Sequence, residues 1–439
     1  MNFEVAKNII LTFLVVASVI LTWNIWTYQP DLKKSESDYV ESDVQELANV
    51  IKPGQVLFHH EGQHFQTQDK SEIKRIQDEL FTWDFYNFKD ASHLAKEFTS
   101  FIHANGNAEM IFPSTVPLDL YKSELKIDDQ ELPKVYFDRI VFNTENMGSN
   151  ETEVYFINYK NKKIFQAQVQ TAQINNFTQN FASGAHEYPE YISKEVSSSR
   201  TLFLPKNSVQ LNPLTYYIDY LDINKDFKNE LFNDPDKVKR ENVSVGNEYT
   251  DGSSLLTVFK DSSVVEFVNP GQRSDMDGTT GSLIRNSLNF INSQPGWDDY
   301  YQYADISEAE RMVSFRLYID DIDGIGRYPV FNGQGMSEIK HEWGNEEIYR
   351  YERPYFTLIS PPFPNNQNKV TLLSGQQVIE RLTRNFELAD VEEVRVGYKL
   401  SKDPTEPVIH LEPAWYYRYG GTWTVVPLNE PGGEKSGLE

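Results

Sequence analysis

The chain has 439 residues, of which 65 are acidic and 41 basic, for a formal net charge of −24. That balance argues against nucleic acid as a partner, because phosphate backbones are gripped by basic patches. Cysteine is absent, which excludes disulfides, thiolate zinc sites, iron–sulfur clusters, lipoprotein anchoring and cysteine nucleophiles together.

The first predicted element is a membrane helix. Residues 9–26, "IILTFLVVASVILTWNIW", form an uncharged run of 18, close to the roughly 20 residues that span a bilayer. The run is long for the apolar core of a signal peptide. It ends in Trp23, Trp26 and Tyr28, an interfacial anchor belt, with no small-residue cleavage site. Residues 1–28 therefore read as a cytoplasmic tail and retained signal anchor, with the acidic bulk extracytoplasmic. Lys33 and Lys34 follow the run while only Lys7 precedes it, so the positive-inside count does not support this orientation, although long domains translocate largely regardless of such counts. Ala17, Ser18 and Thr22 form a small-residue strip on which a second membrane helix could approach closely.

Residues 29–41 are charged and lack an apolar period, as a tether does. An N-terminal domain is expected over 42–198. In it Ser42 and Gln45 open a short helix that Pro53 ends, "QVLFHHEGQHFQ" forms a hairpin, and "SEIKRIQDELF" places Ile73, Ile76 and Leu80 on one helical face. A second helix, "ASHLAKEFTSFIHA", carries His93 and His103 out of phase. "EVYFINYKNKKIFQAQVQ" is a hairpin around Asn161-Lys162, followed by the helical "TAQINNFTQNFA". The serine-rich stretch at 197–200 reads as a joint to a middle domain, 199–296, with strands and the helix "GSLIRNSLNFINS". The C-terminal domain, 297–428, is rich in tyrosine and other strand formers, with one helix in "SGQQVIERLTRNF", and 429–439 reads as a disordered tail. Clustered helices and antiparallel hairpins predict an α+β fold with antiparallel sheets and packed helices.

His60-Glu61-Gly62-Gln63-His64 fits the H-E-x-x-H pattern of zinc peptidases. That pattern works only on a helix, where histidines at i and i+4 share a face. Here it sits in a β-prone run with Glu61-Gly62 as the bend, and no Gly-x-x-His follows His64, so a hairpin tip is expected and no metal ligands are assigned. Other motifs each lack a part. "GMSEI" has Ile339 where a nucleophile elbow needs glycine. "DINKDF" and "DDIDGIG" lack essential calcium-loop positions and read as turns. His341 and His410 each stand alone in strand-like segments. Trp415, Tyr416, Tyr417, Tyr419 and Trp423 read as core plus edge rather than as a glycan platform. No catalytic, cofactor-binding or metal-binding residue is predicted, and no cofactor. The competing class is an exported zinc-dependent hydrolase or wall-glycan-binding module.

The anchor "NIILTFLVVASVILTWNIWTYQPDL", the segment "NPLTYYIDYLDINKDFKNELFNDPDKVKRENVSVGNEYTDGSSLL" and the terminal "PAWYYRYGGTW" together resemble the YycH family. The resemblance runs over nearly the whole chain and rests on the order of its parts. It implies a non-enzymatic, membrane-anchored regulator of the two-component system that controls cell-wall metabolism in Firmicutes. The implied partners are the sensor histidine kinase YycG (WalK) and a sister anchored protein, YycI, met largely through transmembrane helices.

Overall fold

The computed structural model describes residues 45–427 apart from 123, 129–133, 146–148, 274–278, 294–295 and 364–368, together with residues 11, 14, 15 and 18. The tether, the tail and the Ser42 cap lie outside the described residues. Residues 1–43 and 44–439 are two separate units. In the first, Leu11, Leu14, Val15 and Ser18 are helical and exposed. Among the described residues no helix is long and apolar enough to cross a membrane.

The larger unit is α+β. Its first sheet has ten strands: β1 (Gln55–His60), β2 (Gln63–Thr67), β3 (Asp84–Asp90), β4 (Asn107–Pro117), β5 (Lys126–Ile127), β6 (Tyr136–Asn143), β7 (Glu151–Asn158), β8 (Lys163–Gln170), β9 (Glu190–Ser197) and β10 (Arg200–Pro205). Their order is β10-β9-β2-β1-β4-β6-β7-β8-β3-β5. Alternation along the strands sends Val56 and Phe58 of β1, Ala108 and Met110 of β4, and Ile140 and Phe142 of β6 to one face, in the main core. That face is covered in part by helix Lys70–Leu80, capped by Asp69, whose buried stripe is Ile73, Ile76, Gln77 and Leu80. The predicted stripe and its period are what the structure shows. The opposite face is covered by the helical segment running from Ser92 to Ile102, through Phe98 and Ile102.

The second large sheet has fourteen strands from Leu214 to Val425, and strands of the expected middle and C-terminal segments run in it together. Its longest hairpin joins Val391–Lys402 to Val408–Tyr419. Helix Thr280–Ser293 buries Leu283, Ile284, Leu288 and Ile291, and Trp343 donates from Nε1 to the buried Ser287 hydroxyl at 2.7 Å.

The serine-rich stretch at 197–200, expected to be a joint, is the turn of the β9–β10 hairpin, and both strands lie in the first sheet. Pairing of Leu204 with Ile192 and of Phe203 with Ser193 keeps the chain in register there. Beyond the turn, β10 serves two regions. Leu202 and Leu204 join a smaller core with Val378, Ile379 and Leu382 of helix Gly375–Asn385 and with Trp415 and Tyr417. A Cβ on Gly375 would lie 2.5 Å from Leu204 Cβ and 2.6 Å from the Pro205 carbonyl oxygen, so only glycine permits this helix to sit against β10.

Candidate functional site

The hairpin expected at 55–67 is present, and its turn residues Glu61 and Gly62 both have positive φ, 50° and 76°, as a tight two-residue hairpin turn requires. Its register decides the fate of the H-E-x-x-H pattern. His59 pairs with His64, and His60 pairs with Gln63. Successive side chains point to opposite faces of a sheet, so His60 and His64 do not share one. His60 is exposed and its Nδ1 lies 3.0 Å from the Glu145 carboxylate. The geometry gives no support to a zinc peptidase.

His64 instead belongs to a different group, on the sheet face opposite the main core. Its Nδ1 lies 2.7 Å from Nδ1 of His59. His59 Nε2 lies 2.6 Å from Glu109 Oε1, and His103 Nδ1 lies 2.5 Å from that same oxygen. Arg139 donates to the other oxygen, Glu109 Oε2, at 2.6 Å. Register explains the convergence: Leu57 pairs with Glu109, and Ile111 pairs with Arg139, so His59, Glu109 and Arg139 are diagonal neighbours on one face of three adjacent strands. His103 enters from the end of the covering helix. Tyr159, just past β7, places its hydroxyl 3.3 Å from His103 Nε2 and its ring 3.7 Å from the Arg139 guanidinium, and accepts the Thr201 amide at 3.1 Å.

The group is closed to water at its centre. Glu109 is fully buried and His59 is 3% exposed. Burial pushes the Glu109 carboxyl up, and the charges of His103 and Arg139, with hydrogen bonds from His103 and His59, hold it well below the usual carboxylate range. Burial lowers His103 despite Glu109 beside it, and lowers His64 to about 4 with help from His59 and His103. Phe203 of β10 packs its ring 5.5, 5.0 and 4.9 Å from the rings of His59, His64 and His103. It also lines a cleft of about 620 Å³ that Tyr191, Tyr328 and Trp415 share, while Arg139 and Tyr159 line a second of about 640 Å³.

Of the residues expected at the membrane, Ser18 is described, and Ala17, Thr22, Trp23, Trp26 and Tyr28 lie outside the described residues. The aromatic cluster near the C-terminus divides as core plus edge: Trp415, Tyr416 and Tyr417 are buried and Tyr419 is exposed. Asp222, expected to open a turn, instead caps the π-helix Ile223–Lys228 by accepting the Asn224 and Lys225 amides, whereas Asp321 accepts backbone amides of the turn that follows it. His410 is half-buried, 3.8 Å from Asp403, and His341 is fully buried. The group around Glu109 was not found from the sequence. Its signal was ionisable residues set in apolar runs, His59-His60 in "VLFHH", Glu109 in "NAEMIF" and Asp138-Arg139 in "YFDRIVF".

Comparison with known proteins places this architecture. Residues 4–185 match the N-terminal domain of the YycH protein, and residues 199–433 match its C-terminal domain. The chain belongs to the YycH family. It is 26% identical, over the whole of both chains, to the two-component system WalR/WalK regulatory protein YycH of Bacillus subtilis (strain 168). The crystal structure of YycH from Bacillus subtilis shares the fold, with a TM-score of 0.72 and 23% identity, covering 88% of this chain and 98% of that one.

Proposed function

We propose that this YycH-family chain is a non-enzymatic, membrane-anchored regulator that biases a WalK-type sensor histidine kinase between its signalling states. The observation that carries the reading is the end-to-end match to the WalR/WalK regulatory protein, which includes the uncharged run near the N-terminus. A regulator of this kind needs no catalytic constellation. It needs contacts that differ between the two states of the kinase, because a ligand shifts an equilibrium only by its differential affinity.

Residues 9–26 are the segment that makes those contacts. In lipid, helices associate through close packing and interhelical hydrogen bonds, which favour small and hydroxyl side chains. Ala17, Ser18 and Thr22 supply such a strip, and Trp23, Trp26 and Tyr28 fix its depth at the outer interface. Leu11, Leu14 and Val15 are helical and 59, 58 and 56% exposed, as lipid-facing side chains are. The acidic bulk then lies outside the membrane, and a YycI-like sister protein is the second partner. Deleting residues 1–28 while exporting the remainder should abolish regulation of kinase-dependent transcription in a reporter strain. Full regulation by the soluble exterior would contradict the reading.

A further inference from the structure

We propose that His59, His103 and Glu109 form a site for one divalent transition-metal ion of the zinc class, distinct from the H-E-x-x-H sequence pattern. Three potential ligand atoms, His59 Nε2, His103 Nδ1 and Glu109 Oε1, lie within 4.8 Å of one another. Two imidazoles and a carboxylate suit such an ion.

The stronger observation is what stands behind each of the three. Metal-binding imidazoles and carboxylates are oriented by a hydrogen bond at the atom remote from the ion. Here His59 has His64 Nδ1 at 2.7 Å from its Nδ1, His103 has the Tyr159 hydroxyl at 3.3 Å from its Nε2, and Glu109 has Arg139 on its Oε2. Each side chain is thus held from the rear with its inner atom facing a common point. Without an ion, Glu109 Oε1 accepts from both imidazoles. With an ion, each imidazole carries its proton on the remote nitrogen, and His64 shifts its own proton from Nδ1 to Nε2, so that His64 Nδ1 and the Tyr159 oxygen accept. No proton need leave the group, and the two imidazole nitrogens, now 2.6 and 2.5 Å from Glu109 Oε1, each move away from it by less than about 1 Å to reach the spacing of ligands bonded at roughly 2.0 to 2.1 Å.

Two clefts border the group. One is lined by Phe203, which touches all three histidine rings, and the other by Arg139 and Tyr159. The strands β1 and β4, the helix end at His103 and the β9–β10 hairpin meet at this point. An ion here would therefore tie β1 and β4 to the helix end at His103, beneath Phe203 of β10.

The full chain in detergent, purified without a histidine tag and stripped of metal, is titrated with Co²⁺ in excess Mg²⁺, and visible ligand-field absorption is read. The expected result is one Co²⁺ per chain, retained in His60→Ala and lost in Glu109→Gln and His103→Gln. Tyr159→Phe should weaken Co²⁺ by about 10- to 100-fold, and it removes no ligand, so it keeps the test decisive if the ligand variants do not fold. Absence of stoichiometric binding by the folded wild type would overturn the proposal, as would loss in His60→Ala or affinity unchanged in Tyr159→Phe.

Discussion

Two buried histidine environments in this chain differ in one respect, the presence of partners. In the first sheet, His59 and His103 converge on Glu109, and Arg139 balances its charge. In the second sheet, His341 is fully buried among Phe290, Phe315, Trp343 and Tyr351, and neither of its ring nitrogens has a hydrogen-bond partner among the described residues. Burial lowers His341 to about 3, with Arg353 adding to the effect. One environment is a closed polar network whose members depend on each other. The other is an apolar pocket in which imidazole serves as a neutral aromatic ring.

The sharpest way to break this contrast is to remove the hub of the first group. Glu109→Ala leaves Arg139 buried without its carboxylate and two imidazoles without their acceptor. Losing one partner of a buried pair costs about 3–5 kcal/mol, which urea denaturation should reveal. His341→Phe should change stability by less than about 1 kcal/mol at pH 7.5, since the ring volume is kept and two unpartnered nitrogens disappear. A loss comparable to that of Glu109→Ala would mean that His341 is not a mere ring.

The pH dependence sharpens the contrast further. His341 has a lower pKa folded than unfolded. Above about pH 6.5 it is neutral in both states; as pH falls below that, the unfolded chain takes up a proton that the folded chain does not. Its contribution therefore makes stability fall from about pH 6.5 down to about pH 3, below which the two states are protonated alike. Subtracting the His341→Phe stability curve from that of the parent chain should expose this decline. A difference that is flat across the window would contradict the burial argument. The smallest effect belongs to His60→Ala, at the exposed hairpin tip, expected within about 0.5 kcal/mol by the same denaturation measurement.

Much of the fold was legible because local patterns and tertiary packing agree. The stripe Ile73, Ile76, Leu80, the hairpin turning at Glu61-Gly62 and the hairpin around Asn161-Lys162 all carry their periods in adjacent residues. The serine-rich stretch, where the family's C-terminal domain match begins, suits a hairpin turn as well as a joint, and only strand pairing shows that the chain there turns within the first sheet. The Glu109 group stayed hidden for a related reason. His59, His103, Glu109 and Arg139 come from separate elements, and the diagonal register that unites them is a property of the sheet rather than of any one segment. His103, read against His93 on the helix, finds its partners across the sheet instead.

The proposed mode of regulation rests on recognition by the membrane segment, and proximity crosslinking in living cells tests it most directly. The full chain and a version with residues 9–26 replaced by an unrelated spanning helix are each compared for crosslinking to the sensor kinase at equal expression. The native chain should crosslink and the replaced chain should not. Equal crosslinking by both would contradict the account and move recognition to the exterior.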